Sequence, residues 1–179
     1  MSKLMTGPTA GDARLTIRHA TADDAAALAA IEAECFPPAE AAGPGAIRAR
    51  LAAYPDCFWL LCDDSSDDGG AIVSFINGFA TDRRDLTDDM YDDPSQHDPH
   101  GAWQMIFGVD TVPASQHHGY ASLLMRRVIA DTRAAGRAGL VLTCKDRLVG
   151  FYARFGYVDE GISDSTHGDV VWHQMRLTF

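Results

Sequence analysis

Apolar and polar positions alternate along LTIRHA, from Leu15 to Ala20, and predict a short first strand. Thr21 with Asp24 three residues on has the form of a capping box, and Leu28, Ile31 and Cys35 give the helix that follows an apolar face before Pro37 and Pro38 stop it. AIRARLAAY predicts a second helix ending before Pro55. CFWLLC and AIVSFINGFA are compact apolar runs on either side of the polar turn DDSSDDGG, the pattern of an antiparallel hairpin. A long irregular segment over 82–100 leads to a strand in WQMIFGVDTV. Ala121, Leu124, Met125, Val128, Ile129 and Thr132 then recur at helical spacing up to a terminator at Gly136. GLVLTC predicts a buried strand. Asp146 is placed to cap a short helix with Leu148, Phe151, Tyr152 and Phe155 on one face, ended by Gly156, and the tail DVVWHQMRLTF has strand composition. The predicted order is β-α-α-β-β-β-α-β-α-β-β. The strand-helix-strand series in the second half implies a parallel pair and the hairpins imply antiparallel neighbours. The expected fold is a single-domain mixed α/β sheet flanked by helices, over 14–179, behind a loose leader at 1–13.

A length of 179 residues suits that one domain. The net charge of −10 argues against a nucleic acid or an anionic membrane as partner, since both call for a basic surface. No apolar run reaches the roughly 18 residues of a membrane span, and the first residues lack the apolar core of a signal peptide. Cys35, Cys57, Cys62 and Cys144 show neither a CxxC pair nor metal-ligand spacing, which fits a reducing cytoplasm.

An acidic chain can still hold a small anion on backbone amides. QHHGYA, at 116–121, sits where a strand passes into the long helix, so the first N–H groups of that helix and the positive end of its dipole face outward. Gly119 and Ala121 add little bulk, Ser122 brings a hydroxyl, and His117 and His118 add ring donors at the rim. Such a junction suits a phosphate or pyrophosphate. The spacing alone is equally compatible with a plain turn carrying solvated histidines.

The pattern Q-x-x-G-x-A after a strand and before a long helix resembles the CoA pyrophosphate loop of the GNAT acyltransferase superfamily. LVLTCKDRLVGFYARFGY, together with IVSFINGFATDRRDLT upstream, resembles the arylalkylamine (serotonin) N-acetyltransferase branch, and the likeness runs from about Leu15 to Leu177. The resemblance implies a sheet with a central parallel pair that splays apart, acetyl-CoA as cosubstrate and a small primary amine as acceptor. It implies that Val109 and Thr111 pair with the pantetheine arm. The pyrophosphate would rest on Gln116, His117, His118, Gly119, Tyr120, Ala121 and Ser122. Dimers are common among such folds, and nothing in the sequence shows one.

An alkylamine with a pKa near 10.4 must lose a proton before it attacks a thioester, at a cost of about 4.6 kcal/mol at pH 7. The leaving thiolate must gain one. Tyr152 matches the phenol that acts as general acid in the resembled branch, although its place on an apolar face also suits a core residue. The base departs from the pattern. The branch's H-x-H aligns with Met105 and Phe107, or in a shifted register with Trp103 and Met105, and neither register contains a base. Glu32, Glu34, His100, Asp164, His167 and His173 are the remaining candidates; His167, in the turn before the last strand, is the one chosen.

The segment 82–100 holds seven aspartates against Arg83 and Arg84, half of the net charge of −10. It is either a rim that draws in a cationic amine or a solvated loop. No metal is expected from His97, Asp98 and His100, which lack a defined helix and a fixed partner. Trp103, Phe107, Phe75, Phe79 and Met90 are candidates for an aromatic-friendly acceptor pocket as well as for core. Two further readings stay open: a CoA-binding sensor with little turnover, and an acyltransferase for a peptide or polyamine.

Overall fold

The computed structural model describes residues 14–65 and 70–179; the leader and part of the DDSSDDGG turn lie outside it. Seven strands form one sheet in the order β1-β2-β3-β4-β5-β7-β6. They are β1 (Leu15–His19), β2 (Phe58–Asp63), β3 (Ala71–Thr81), β4 (Trp103–Thr111), β5 (Gly139–Cys144), β6 (Val158–Ile162) and β7 (His173–Thr178). Every neighbouring pair is antiparallel except β4 with β5. The helices are α1 (Ala25–Cys35), α2 (Pro44–Ala53), α3 (Asp89–Asp92), α4 (Tyr120–Ala134) and α5 (Val149–Ala153).

The predicted order of strands and longer helices is the observed one. Thr21 donates its N–H to the Asp24 carboxylate at 2.7 Å. α1 stops at Phe36, which is extended as a residue before proline must be. α4 packs across β2, β3, β4 and β5, and Leu124, Met125 and Val128 on its inner face are fully buried. Each such side chain contributes about 1.5–3 kcal/mol. Thr132, the polar member of that face, donates its hydroxyl to the Val128 carbonyl at 2.7 Å. Beyond α4, Arg137 N–H returns to the Thr132 carbonyl across Gly136, whose φ is +72°.

Two local expectations are corrected. Asp146 does not cap a helix: Lys145 holds the cap position of a short 3-10 turn (Asp146–Leu148) that runs into α5, and the Asp146 carboxylate lies 3.4 Å from His173. α5 is five residues long, so of its predicted apolar face Tyr152 is buried while Leu148, Phe151 and Phe155 pack only partly against the core. The segment 82–100 is also not irregular throughout, for it holds α3.

Two features of β4 shape the middle of the sheet. It pairs with β5 only from Trp103 to Ile106 and has no partner on that side beyond. Against β3 the register passes from Asn77 opposite Gly108 to Gly78 opposite Ile106, so Phe107 is the extra residue of a bulge.

Candidate active site

Where β4 and β5 part, a cavity of about 370 Å³ opens between them. Phe107, Gly108 and Val109 line it from β4 and Thr143 and Cys144 from β5. Tyr152 of α5, Glu32 of α1, Arg50 of α2 and Tyr91 of α3 complete the wall. The volume is within the range of small-molecule sites.

The loop after β4 forms one end of the site. Gly119 adopts φ +79° and ψ 12° at the start of α4, and His117 also has a positive φ of 65°. A Cβ on Gly119 would meet nothing within 4 Å, so the backbone turn is what calls for glycine here. Among the described residues no acceptor takes the N–H groups of 117–122; the first to be taken is that of Leu123, by the Gly119 carbonyl at 2.9 Å. Turns of this kind gather amides into a concave anion site, and the dipole of a fifteen-residue helix adds to it. His117, His118 and Gly119 are exposed; Tyr120, Ala121 and Ser122 are half-buried. The His118 ring stacks on Tyr120 with centroids 5.5 Å apart, and its Nδ1 lies 3.1 Å from the Ser115 carbonyl. Gln116 turns its side chain back to donate to the Thr111 carbonyl at 3.3 Å, where the Cys35 thiol also donates at 3.3 Å. The Thr111 carbonyl is thus occupied, while Val109 lines the open cavity.

Tyr152 is 6% exposed and lies on the cavity wall. Burial pushes its phenol above the ordinary tyrosine range, so it stays protonated at neutral pH.

His167 reaches the cavity as well, but as a fixed wall. Its Nε2 donates to the Glu40 carbonyl at 3.0 Å, and its ring stacks on Tyr91 at 4.9 Å. Tyr91 in turn packs on Phe107 at 5.0 Å and its hydroxyl lies 3.3 Å from that of Thr143, so the segment 82–100 closes over the open end of β5. Of the other base candidates, Glu34, His100 and Asp164 are exposed away from the cavity, and His173 is held between Asp146 and Asp159. Of the aromatic candidates, only Phe107 lines the cavity. Phe75, Phe79 and Met90 are wholly buried core, and Trp103 packs under the Arg176 guanidinium at 4.7 Å.

The acidic segment is not simply solvated. Asp89 accepts from Arg83 at 2.7 Å, Asp85 from Arg176 at 2.6 Å, and Asp88 from Thr166 N–H at 3.0 Å. Asp82, Asp93 and Asp98 each accept a backbone N–H. Asp92 alone among the seven lines the cavity. His97 points inward, accepting the Ala80 N–H at 3.2 Å beside Tyr54. Among the described residues no three His, Cys, Asp or Glu side chains converge as a metal site.

Sequence reasoning missed a buried polar cluster. Glu32 (5% exposed), Arg50 (4%), Asn77 and Asp110 (both 0%) meet beside the cavity. The pattern did contain a signal. Leu28, Ile31, Glu32 and Cys35, and likewise Ile47, Arg50, Leu51 and Tyr54, fall at i, i+3, i+4 and i+7, so each helix inserts a charge into its own apolar stripe. Burial, followed by the neighbouring Glu32 charge, pushes the Asp110 carboxyl well above the usual carboxylate range.

A mixed sheet that opens between its one parallel pair, with a helix start offering free amides and a buried phenol on the cavity wall, defines the architecture of an acyltransferase. The chain belongs to the acetyltransferase (GNAT) family, whose model matches residues 25–157. No curated protein sequence matches it. Among solved structures it is similar to the GphF GNAT-like decarboxylase in complex with isobutyryl-CoA, at 24% identity and TM-score 0.77, covering 91% of this chain and 98% of that one. It is similar to the loading GNATL domain of CurA from Lyngbya majuscula, at 16% identity and TM-score 0.75, over 92% and 97% of the two chains. A third likeness is to yncA, a putative acetyltransferase from Salmonella typhimurium with its cofactor acetyl-CoA, at 16% identity and TM-score 0.64, over 92% and 94%. At these identities the likenesses establish the fold.

Proposed function

We propose that the protein transfers an acyl group, acetyl in the first instance, from a CoA thioester to the nitrogen of a small primary amine. The observation that carries this reading is the run of unaccepted N–H groups at 117–122, placed at the end of β4 whose open flank leads into the cavity holding Tyr152. Those amides suit a pyrophosphate, and the free flank of β4 around Val109 suits an extended amide-bearing arm. Family membership supports acyl transfer, and the acyl-CoA complexes among the structural neighbours support CoA as carrier. Tyr152, kept protonated by burial, is suited to return a proton to the departing thiolate.

The cavity wall balances its charges and is rich in aromatic surface: Glu32, Glu40 and Asp92 face it together with Arg50, Lys145 and Arg147, Lys145 being paired with Glu40 at 2.9 Å, and Phe107, Tyr91 and Trp172 lie among them. Neither Met105 with Phe107 nor Trp103 with Met105 supplies the histidines of the resembled branch, so that branch's proton route is absent and an arylalkylamine is one acceptor among several, polyamines and peptide amino termini included.

The test is a thermal shift with acetyl-CoA, CoA and ATP on the wild type and on Gly119→Glu. Ligand at 100 times its Kd adds about 2.7 kcal/mol of stability. The expected result is a rise with both CoA species, little with ATP, and loss in the variant. No rise at saturating acetyl-CoA sinks the proposal. Binding without release of free thiol in the presence of any amine replaces it with a CoA sensor.

A further inference from the structure

The polar cluster beside the cavity leaves several atoms without partners. Among the described residues, neither oxygen of Asp110, nor Oε2 of Glu32, nor Nδ2 of Asn77 finds a hydrogen-bond partner. These atoms converge on the space that Gly108 leaves open. A Cβ there would stand 3.0 Å from Asn77 Nδ2, 3.0 Å from Asp110 Oδ1 and 3.7 Å from Glu32 Oε2. Glu32 Oε1 is fixed by the Ala42 N–H at 2.9 Å, which leaves Oε2 as its free oxygen. Glu32 lines the cavity, and Asp110, fully buried, lies behind it.

Charge balance decides the protonation of the pair. The one buried cation nearby is Arg50, whose guanidinium donates to Asn77 Oδ1 at 3.2 Å and to the Tyr91 carbonyl at 2.9 Å and stands over the Phe107 ring at 5.2 Å. One guanidinium neutralises one carboxylate. A second buried carboxylate with no partner is prohibitively costly, so one of the two carboxyls must hold a proton. A proton on Asp110 directed at Glu32 gives partners to atoms on both residues at once.

We infer that Glu32 and Asp110 share one proton, and that Glu32, the ionised member at the cavity, accepts the proton of the bound ammonium while Asp110 acts as a positioning residue that holds Glu32 charged and aimed. This rests on the acyltransferase reading above. The protons balance. The ammonium gives one proton to Glu32, which later releases it to water. The neutral nitrogen attacks the thioester carbonyl, the C–N bond forms and the C–S bond breaks. The thiolate takes the Tyr152 proton, and the second nitrogen proton restores the phenol. The titratable and charged groups around the pair are Cys35 of α1, Arg50 of α2, Tyr91 and Asp92 of α3 and Tyr152 of α5, with Glu40, Cys144, Lys145, Arg147 and His167 also lining the cavity. Cys35 stays a neutral thiol, pushed up to about 12 chiefly by burial.

Two measurements on the full chain test this. The first needs no turnover: isotope-edited infrared or carbon NMR of the side-chain carboxyls at pH 7. A buried protonated carboxyl signal is expected in the wild type; it should vanish in Asp110→Asn and shift in Glu32→Gln, where the protonated carboxyl loses its carboxylate acceptor. Its absence from the wild type, its survival in Asp110→Asn, or an unshifted signal in Glu32→Gln overturns the shared proton. The second follows thiol release with an amine that the wild type accepts. Glu32→Gln should lower kcat about 100-fold or more with CoA binding kept. Asp110→Asn should retain most of kcat and move the acidic limb of kcat/KM to higher pH, because the amide is a poorer donor to the Glu32 carboxylate. Turnover of Glu32→Gln within threefold of wild type, with an unchanged pH profile, overturns the catalytic role. A wild type that binds no CoA instead sinks the acyltransferase reading, and the catalytic role with it, while the carboxyl signal still decides the shared proton.

Discussion

The two ends of the proposed site, the loop after β4 and the cavity beside it, are built from different materials. The loop end offers backbone: N–H groups of 117–122 on an exposed turn, with Gly119 required by its φ and no buried charge. The cavity end offers side chains: Glu32, Arg50, Asp110, Tyr91 and Tyr152, delivered by five separate elements and nearly all buried. A backbone site needs only one local turn and tolerates change in its side chains. A side-chain site has to satisfy every buried charge, so its members depend on one another.

The sharpest way to separate the two ends is Tyr152→Phe. It should lower kcat by about 10²–10⁴-fold, as loss of a general acid does, and leave the thermal shift with CoA intact. A parallel loss of CoA binding would mean that the two ends are one site. Next in size is Arg50→Met, which removes the only buried cation of the cluster and should cost about 3–5 kcal/mol in denaturant unfolding. Adding Glu32→Gln, which removes the charge that Arg50 neutralises, should recover a substantial part of that loss in a double-mutant cycle, whereas strict additivity would break the claim of interdependence. At the loop end, Gly119→Ala should cost only about 1–2 kcal/mol, from the left-handed backbone alone, since its Cβ meets nothing. Smallest of all, Arg83→Gln loosens an exposed pair with Asp89 and should leave the melting temperature nearly unchanged while hydrogen exchange quickens over 83–96.

The same difference explains what could be read in the sequence. The loop end was legible because its determinants are contiguous: a strand, QHHGYA and an amphipathic helix follow one another, and α4 buries Leu124, Met125, Val128 and Thr132 as its spacing predicted. The sheet and its parallel pair followed from the same local patterns. The other end was not legible because its partners are far apart in the chain. Glu32 appeared only as one acidic residue among several, and nothing local joins it to Asp110 or to Asn77. His167, chosen as the base, does line the cavity, but the Glu40 carbonyl and the Tyr91 ring that hold it come from elsewhere in the chain. The short α3 escaped notice because four residues cannot show a helical period. The aspartates around it looked like solvated charge because their partners, Arg176 and Thr166, lie some eighty or more positions away.

Those aspartates give the molecule a working window in pH. Asp89, through Arg83, Thr87 and Gln96, and Asp93, through Ser95, are held below the ordinary carboxylate range. What they contribute to stability is present at neutral pH and is lost as acid carries the solution down through those lowered values. Asp110 is displaced the other way, so its burial is tolerated while it holds a proton and becomes a strain as rising pH removes it. Acid therefore unfastens the segment that carries Tyr91 over the open end of β5, and alkali stresses the floor beneath it. The amides of 117–122 do not titrate. Outside the window the protein keeps the amides proposed to hold an anion after it has lost the chamber beside them.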